Sequence, residues 1–381
     1  MYGTNQQLPD IPNEDLHENA NQQEPVPTAP PISNMDAVAG YDNMQFTNFA
    51  LPPPPAYQDI IGAPPQQGDM QPVVPAVSEE QARQALAQYV SSKCCYGSRA
   101  VRDLVFTNIS PSTAIHYQLE TFTEGRQASW TYEPYNGLPI DGPQNGPAPQ
   151  PWDIAVNPPA MFKNSSSRLE VPHTASVKTC HSCLGSCTKR CWKCHGRGNL
   201  LCGSCVNGHC NVYRDGRNHR ERCHACFGSG RKRCYKCNGT GLCPCETCAA
   251  RGTLKCYILL VVTWTNNVSD HIMERTALPD HLIKGVSGKT VFQAEHQQVA
   301  PLVTFFEGEI NTASQRLVQQ HATQFTGQRI LRQRHVVRMV PVSEVAYTYN
   351  NNSHTFWVYG DENRVYEEDY PLKCCCGCTI L

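Results

Sequence analysis

The fold is decided by a cysteine-rich stretch that reads CHSCLGSC (180–187), CWKCHGRG (191–198), CGSCVNGH (202–209), CHACFGSG (223–230), CYKCNGTG (234–241) and CETCAARG (245–252). Six C-x-x-C pairs start at residues 180, 191, 202, 223, 234 and 245. The starts within each triplet are eleven residues apart, and a longer gap separates the two triplets. The stretch is therefore an internal repeat.

The spacing of these pairs is typical of zinc ligands. A C-x-x-C turn brings two sulfurs close enough to bind one tetrahedral zinc ion, and two such turns supply a closed structural site. Glycines such as Gly196 and Gly198 follow the second cysteine because the chain must turn back sharply there. Six pairs predict three zinc ions, or two if the degenerate units CGSCVNGH and CETCAARG do not bind. The predicted ligands are Cys180, Cys183, Cys191, Cys194, Cys202, Cys205, Cys223, Cys226, Cys234, Cys237, Cys245 and Cys248.

The spacing is compatible with two ways of combining the pairs. If the segment folds back at its longer central gap, the pair at 202 meets the pair at 223, and the outer pairs meet in a nested order. If neighbouring pairs along the chain share an ion, the pair at 180 combines with the pair at 191 instead. An evenly spaced repeat permits both arrangements.

Two resemblances follow from these residues. The repeat C-x-x-C-x-G-x-G resembles the cysteine-rich domain of DnaJ-type chaperones, which implies a nested zinc hairpin that binds segments of client proteins. The chain as a whole, with LETFTEGRQASW (119–130) and GPAPQPWDI (146–154), resembles the Ssu-2 homolog family over roughly residues 80 to 370. The sequence departs from the chaperones in having six units instead of four, and it has no J-domain with a His-Pro-Asp tripeptide. Stimulation of an Hsp70 ATPase is therefore not implied.

The charges are distributed unevenly along the chain. Residues 1–76 carry nine Asp and Glu and no Lys or Arg, whereas residues 178–256 carry fifteen Lys and Arg against three Asp and Glu. This basic surplus makes a nucleic-acid-binding or transcription-linked zinc protein the alternative function. A thiol–disulfide oxidoreductase is a further alternative, but such proteins carry a single C-x-x-C motif, and a closed four-thiolate site leaves no position for catalysis. We expect no enzymatic activity.

The sequence also bears on location. The N-terminus MYGTNQQLPD has neither a basic start nor an apolar core, so no secretory signal is expected and the cysteines are interpreted as reduced metal ligands. The longest apolar run, YILLVV (257–262), is too short to span a membrane. We predict a cytoplasmic protein, with the nucleus as the alternative if it binds nucleic acid.

A candidate partner motif lies in the N-terminal segment. Residues 1–77 are rich in Pro, Asn and Gln and poor in large apolar side chains, so we expect a disordered tail. Within it, PPPPAY (52–57) fits the P-P-x-Y pattern of WW-domain ligands through Pro54, Pro55 and Tyr57.

The C-terminus KCCCGCTIL (373–381) carries candidate lipidation sites. Cys378 has the C-a-a-X position for prenylation, and the final Leu381 favours a geranylgeranyl group. Because one lipid gives only marginal membrane binding, a second signal is needed for stable anchoring. The candidates for palmitoylation are Cys374, Cys375 and Cys376. We therefore predict attachment to a cytosolic membrane face.

Between the termini we expect an α+β protein with a β-rich body and a projecting zinc arm. The predicted segments are an amphipathic helix at 78–92, a β-rich half at 93–177, the arm at 178–256, a second β-rich half at 257–371 and a lipidation tail at 372–381. Ser78 and Gln81 predict a capping box at the start of the helix.

Local patterns place several elements in the two halves. Alternating apolar residues at 115–119 and 128–132 predict a hairpin that turns at Glu124 and Gly125. Trp152 is predicted to anchor the following loop to the sheet. In the second half, strands are predicted at 255–265, 329–340, 345–349 and 355–359, and a helix at 312–325.

Four thiols of the arm are not assigned to a pair: Cys187, Cys210, Cys243 and Cys256. Cys187 and Cys243 are close in sequence to the outermost pairs, and His209 with Cys210 could replace the pair at 202. The sequence as a whole predicts a non-enzymatic zinc-binding adaptor, similar to a chaperone, that binds client proteins through its cysteine-rich arm.

Overall fold

The computed structural model describes residues 29–42, 44–54, 77–214 and 216–373. Strands dominate and helices are few, as expected for the predicted β-rich body. The predicted disordered tail at 1–77 is wrong in part, because Phe49–Leu51 is a strand that pairs with Arg126–Ala128. The chain divides into two compact units, each built from three segments. The body unit comprises the described parts of Thr47–Ser129, Pro149–Val171 and Leu259–Leu381, and the cysteine-rich unit comprises those of Met1–Phe46, Trp130–Ala148 and Pro172–Ile258.

The secondary structure has the following bounds. The helices are α1 (Glu79–Ser91), α2 (Arg99–Asp103), α3 (Asp280–Lys284) and α4 (Gly308–Gln324). The strands are β1 (Phe49–Leu51), β2 (Val105–Pro134), β3 (Ser165–Glu170), β4 (Ser176–Thr179), β5 (Thr188–Arg190), β6 (Asn199–Leu201), β7 (His209–Arg214), β8 (Arg217–Arg222), β9 (Arg231–Arg233), β10 (Leu242–Pro244), β11 (Thr253–Met273), β12 (Lys289–His296), β13 (Arg329–Tyr349), β14 (Asn352–Tyr359) and β15 (Arg364–Tyr366).

Helix α1 begins at the predicted capping box. The Ser78 hydroxyl accepts a hydrogen bond from the Gln81 N–H at 3.2 Å, and the Gln81 side chain accepts one from the Ser78 N–H at 3.0 Å. These two bonds satisfy backbone donors that have no partner inside the helix. The buried side of α1, which includes Leu86, belongs to one apolar cluster with Tyr347 and Phe356 of the sheet. Burial on the sheet therefore supports the helix.

The body unit is organised around the antiparallel pair β2 and β13. Their register runs from Val105 opposite Thr348 to Glu124 opposite Arg329. The predicted hairpin within 115–132 is wrong, because β2 continues through Glu124 and Gly125 without a turn. The predicted strands at 329–340 and 345–349 are likewise one strand.

A buried charged pair explains why β2 continues. The guanidinium of Arg126 donates to the Glu124 carboxylate at 2.6 Å and to the carbonyl of Ile154 at 2.9 Å. The Trp264 indole donates to the second carboxylate oxygen of Glu124 at 3.2 Å, and Arg126 lies 4.8 Å from the centre of the Trp152 ring. These contacts hold the loop on the sheet, so the predicted role of Trp152 as an anchor is confirmed.

Two predicted elements after the cysteine-rich stretch form where the patterns place them. The strand predicted at 255–265 is the start of β11, and the helix predicted at 312–325 is α4. Helix α4 buries Ile310 and Leu317 in an apolar cluster with Tyr117 and Leu119 of β2. Within the described ranges, no helix combines the length and the apolar character needed to cross a bilayer.

The cysteine-rich unit contains short ladders that follow a nested order. Strand β5 pairs with β10, β6 pairs with β9, and β7 pairs with β8, all antiparallel. Because the first strand of the series pairs with the last, the segment folds back on itself at β7 and β8. The residues of β11 from Thr253 to Cys256 pair with β4 and thereby join both ends of this segment.

Candidate metal centres

The nested ladders bring the twelve predicted ligands together in three groups of four. Within each group, the four sulfur atoms lie within 4.8 Å of one another. We call the groups the outer site (Cys180, Cys183, Cys245 and Cys248), the middle site (Cys191, Cys194, Cys234 and Cys237) and the inner site (Cys202, Cys205, Cys223 and Cys226). Each site combines a pair from the first triplet with a pair from the second. The alternative in which neighbouring pairs share an ion is therefore wrong.

The sulfur separations fit a tetrahedral metal. Sγ–Sγ distances across the middle site are 3.9 Å for Cys191 and Cys234 and 3.7 Å for Cys194 and Cys237. Four sulfurs at about 2.3 Å from one zinc ion would be about 3.8 Å apart. A disulfide would require about 2.05 Å. The arrangement therefore fits four ligands of one ion and does not fit disulfide bonds.

Backbone bonds between the two strands of the hairpin fix each pair. In the middle site, the Cys191 N–H donates to the Gly241 carbonyl and the Cys234 N–H donates to the Gly198 carbonyl, both at 2.9 Å. The Gly198 N–H donates to the Cys194 sulfur at 3.2 Å. Donation of this kind stabilises a thiolate and orients it toward the centre of the site.

The electrostatics of each group favour a bound cation. Burial opposes ionisation of Cys191, but the N–H groups of Cys194 and Lys193 outweigh it and lower the pKa of Cys191 to about 6. Burial raises the pKa of Cys194, in the same site, to about 11. One thiol therefore ionises readily while its neighbour resists, because burial and the hydrogen bonds to the other thiols of the site favour the protonated form of Cys194. A divalent cation would stabilise the charged form of each thiol and allow all four to deprotonate.

The glycines of the repeat are required by close backbone contacts. Gly198 has φ +73°, and a Cβ on it would lie 2.3 Å from the Gly239 carbonyl oxygen. Gly241 has φ +79°, and a Cβ there would lie 2.3 Å from the Gly196 oxygen. The two glycines of one unit thus meet the two glycines of its partner unit. This contact gives a physical reason for the C-x-x-C-x-G-x-G pattern.

Arginines cover three of the turns, since Arg222 lies against Gly228 as Arg190 and Arg233 lie against Gly196 and Gly239. A Cβ on Gly196 would lie 2.7 Å from the Nε of Arg190, which donates to the His195 carbonyl at 2.8 Å. Arg233 makes the corresponding bond to the Asn238 carbonyl. Each arginine directly precedes the first cysteine of its pair and covers the following turn. Part of the basic charge of the stretch is therefore structural.

Both degenerate units still take part in a complete group. In CETCAARG, Ala249 and Ala250 adopt the positive φ angles of +48° and +60° at the turn. In its partner unit CHSCLGSC, Cys187 stands where other units have their second glycine and has φ +64°. The Cys187 carbonyl accepts the Cys245 N–H at 2.9 Å. In CGSCVNGH, the Gly208 carbonyl accepts the Cys223 N–H at 2.8 Å.

The unassigned thiols lie beside the groups and outside them. Cys243 packs against the middle site and interacts with Cys191, so its expected place beside the outermost pair is wrong. Cys210 packs against the inner site, where Cys202 and Cys205 already complete the group. Cys256 is fully buried beside the outer site, and burial raises its pKa to about 11.

The remaining predicted sites lie mostly outside the described residues. Pro54 is exposed, whereas Pro55 and Tyr57 of the proline motif are not among the described residues. The same holds for the lipidation candidates Cys374, Cys375, Cys376 and Cys378.

The body unit contains a serine–histidine contact that the sequence patterns did not indicate. The Nε2 of His321 lies 2.8 Å from the Ser269 hydroxyl, and its Nδ1 lies 2.7 Å from the Thr121 hydroxyl. Burial lowers the pKa of His321. In a catalytic Ser-His-Asp triad, the second histidine nitrogen bonds to a carboxylate that stabilises the charged imidazole. Here the Thr121 hydroxyl takes that place and gives little such stabilisation. The contact therefore fits a structural hydrogen-bond network between α4 and the sheet.

Comparison with known proteins identifies the family. An SSUH2 homolog of Danio rerio is 39% identical over 354 residues, which cover 92% of this chain and 96% of that protein. The chain belongs to the SSUH2 homolog family. The SSUH2 homolog of Homo sapiens is 37% identical over 369 residues, covering 93% of this chain and 95% of its own length. The SSUH2 homolog of Mus musculus is 40% identical over 269 residues, which cover 68% of this chain and 76% of that protein. No protein-family model and no solved structure matches the chain.

Proposed function

We propose that the protein is a non-enzymatic zinc-binding interaction protein whose cysteine-rich unit binds segments of client proteins. Zinc fits the donor set, because four thiolates in tetrahedral positions are typical of structural zinc sites. A closed group of four thiolates leaves no coordination position for a substrate. The metal would then hold the ladders together so that other side chains can make the contacts.

The observation that carries the proposal is a group of exposed apolar side chains on the cysteine-rich segment 178–256. Leu184 is 82% exposed and Phe227 is 80% exposed, both directly after the second cysteine of a pair. Eight large apolar or aromatic side chains are exposed in this segment. They are Leu184, Trp192, Leu201, Val206, Tyr213, Phe227, Tyr235 and Leu242. Exposed apolar surface of this density favours contact with another polypeptide.

The backbone at two of these positions adds to the argument. Leu184 has φ +51° and Phe227 has φ +52°. Large side chains rarely adopt positive φ, because the Cβ crowds the backbone. The same positive φ recurs at His195, Asn238 and Ala249, the corresponding positions of three other units. The turn of the repeat therefore fixes this conformation, and at Leu184 and Phe227 it leaves a large apolar side chain exposed. The likeness of the repeat to the DnaJ-type domain supports the same interpretation.

Binding to an unfolded polypeptide tests the proposal. The full-length, zinc-loaded protein is titrated against fluorescently labelled, reduced and carboxymethylated α-lactalbumin, which stays unfolded. We expect saturable binding, and we expect Phe227→Ser combined with Tyr235→Ser to weaken it at least about fivefold. Leu138→Ser is the matched control, since Leu138 is 62% exposed in the same unit but lies outside the cysteine repeat. Absence of binding by the zinc-loaded wild type would refute the proposal.

The two termini would determine where in the cell the protein binds its clients and which partners it recruits. We propose that Cys378 is prenylated, that one or more of Cys374, Cys375 and Cys376 is acylated, and that the protein sits on a cytosolic membrane face. Recruitment of WW-domain proteins through Pro54, Pro55 and Tyr57 would complete an adaptor. Expression with an azide-bearing prenyl analogue tests the anchor. Labelling that persists in Cys378→Ser would contradict it.

A further inference from the structure

Strands β7 and β8 form a two-stranded ribbon with open edges. Six residue pairs connect them, from His209 opposite Arg222 to Arg214 opposite Arg217. Among the described strands, each pairs only with the other. A strand at an edge presents backbone N–H and C=O groups that can pair with another extended chain.

The register shows which backbone groups point outward. His209 exchanges both of its backbone hydrogen bonds with Val206, at 3.0 and 3.1 Å, so its polar groups point away from Arg222. In an antiparallel ladder this orientation recurs at every second pair. It therefore applies to Asn211 opposite Arg220 and to Tyr213 opposite Asn218. On β8, the N–H and C=O groups of Asn218 and Arg220 face outward.

The outer edge of β8 is basic. Arg217, Arg220 and Arg222 of this strand are all exposed, although Arg222 also packs against the turn at Gly228. Glu221 is the only acidic residue of β7 and β8, and it lies 3.5 Å from Arg214 on the other strand. Among the described residues, no ion pair forms with the three arginines of β8. Like charges directly opposite each other destabilise a ladder, so a second copy of this ribbon would be repelled.

We propose that the outer edge of β8 binds an acidic, extended segment of a client protein by adding it as a further strand. This inference rests on the proposed client-binding function and assigns it a site and a ligand class. Backbone hydrogen bonds from Asn218 and Arg220 would hold the segment, and its carboxylates would pair with the arginines. Affinity should therefore depend both on backbone pairing and on charge.

The experiment uses a fluorescein-labelled peptide of alternating Glu and Thr, with a Lys and Thr peptide as its charge-reversed counterpart. Anisotropy with the full-length, zinc-loaded protein should show binding of the acidic peptide at least about tenfold tighter than the basic one. Asn218→Pro removes an outward N–H without changing charge, and an edge strand tolerates proline at such a position. It should weaken binding about tenfold, while Asn218→Ala, the matched control, should not. Arg220→Gln should weaken it and reduce its salt dependence.

The outcomes separate this inference from the function on which it rests. Native mass spectrometry must first show that each variant retains the wild-type metal content, so that loss of binding is not loss of fold. Binding of unfolded α-lactalbumin that is unaffected by Asn218→Pro and Arg220→Gln would overturn the strand site and leave the client-binding function in place. A labelled oligonucleotide that binds more tightly than the acidic peptide, with equal affinity for Asn218→Pro and wild type, would also overturn it and favour a nucleic-acid ligand.

Discussion

The carbonyl oxygen of Gly239 lies 2.3 Å from the position that a Cβ on Gly198 would occupy. These residues belong to the two different units that form the middle site, so their contact sets how closely the units approach. An alanine at position 198 would clash with backbone and would also hold φ +73° at a cost of about 1–2 kcal/mol. We expect Gly198→Ala to release metal from the middle site at a lower chelator concentration than the wild type needs. Gly203→Ala is the control, because a Cβ on Gly203 would meet no atom within 4 Å. Equal chelator sensitivity of both variants would contradict the prediction.

Metal content is the second prediction. Native mass spectrometry of the full-length chain should find three zinc ions, since each of the three groups has a complete set of four sulfurs. Cys234→Ser should remove one ion, because it breaks the middle group. Cys243→Ser should leave all three, because Cys243 packs beside that group without belonging to it. Loss of an ion in Cys243→Ser would show that the ligand set is different.

The third prediction concerns the buried pair of Glu124 and Arg126 in the body unit. Both side chains are 4% exposed, and the nitrogen and oxygen atoms lie 2.6 Å apart. Arg126→Met would leave the Glu124 charge buried without its partner, so we expect the free energy of unfolding to fall by about 3–5 kcal/mol. Urea denaturation measures this change. The exposed pair of Arg99 and Asp103 is the control, and Arg99→Met should change stability by less than about 0.5 kcal/mol.

The fourth prediction is a dependence of stability on pH that arises from Glu367. Burial raises the pKa of this carboxyl from 4.5 to about 7, although the Tyr347 hydroxyl that donates to it opposes the shift. The folded state therefore holds the proton more tightly than the unfolded state. This contribution to stability is complete below pH 4.5 and is lost as the pH rises to about 7.

Glu367→Gln isolates that contribution, because an amide keeps the acceptor for Tyr347 and does not ionise. Relative to the wild type, the variant should gain stability between pH 4.5 and 7, reaching on the order of 3 kcal/mol above that range. Burial lowers the pKa of His335 to about 4, so this residue also makes stability depend on pH in acid. It is present in both proteins, and its effect cancels when their stabilities are subtracted. A stability difference that stays constant with pH would refute the prediction.

Much of the metal site can be predicted from the sequence, because C-x-x-C spacing reflects the chemistry of ligand binding. The pairing of units could not be decided in the same way, since a regular spacing fits two arrangements. What decides it is the approach of Gly198 to Gly239, a contact between residues distant in the chain. The predicted position of Cys243 was wrong for a related reason. It is near Cys245 in sequence, but the strand that follows Gly241 returns beside Cys191.

The error in β2 has a different physical cause. Glu124 and Gly125 have the composition of a turn, and local pattern alone favours a hairpin there. The partners that keep this segment extended, the carbonyl of Ile154 and the indole of Trp264, come from other parts of the chain. A buried charge is stable only with such partners. Sequence pattern gives no sign of them.

The nesting of the three sites determines the order in which they can assemble. The inner site joins cysteines separated by a short connection through β7 and β8, whereas the outer site joins the two ends of the whole segment. If the outer site closed first, it would restrict a much longer loop, at an entropic cost about 1 kcal/mol greater than closing the inner loop. Once the inner site has bound metal, the middle and outer pairs lie closer together and each later closure becomes easier. The segment should therefore assemble from its turn toward its ends.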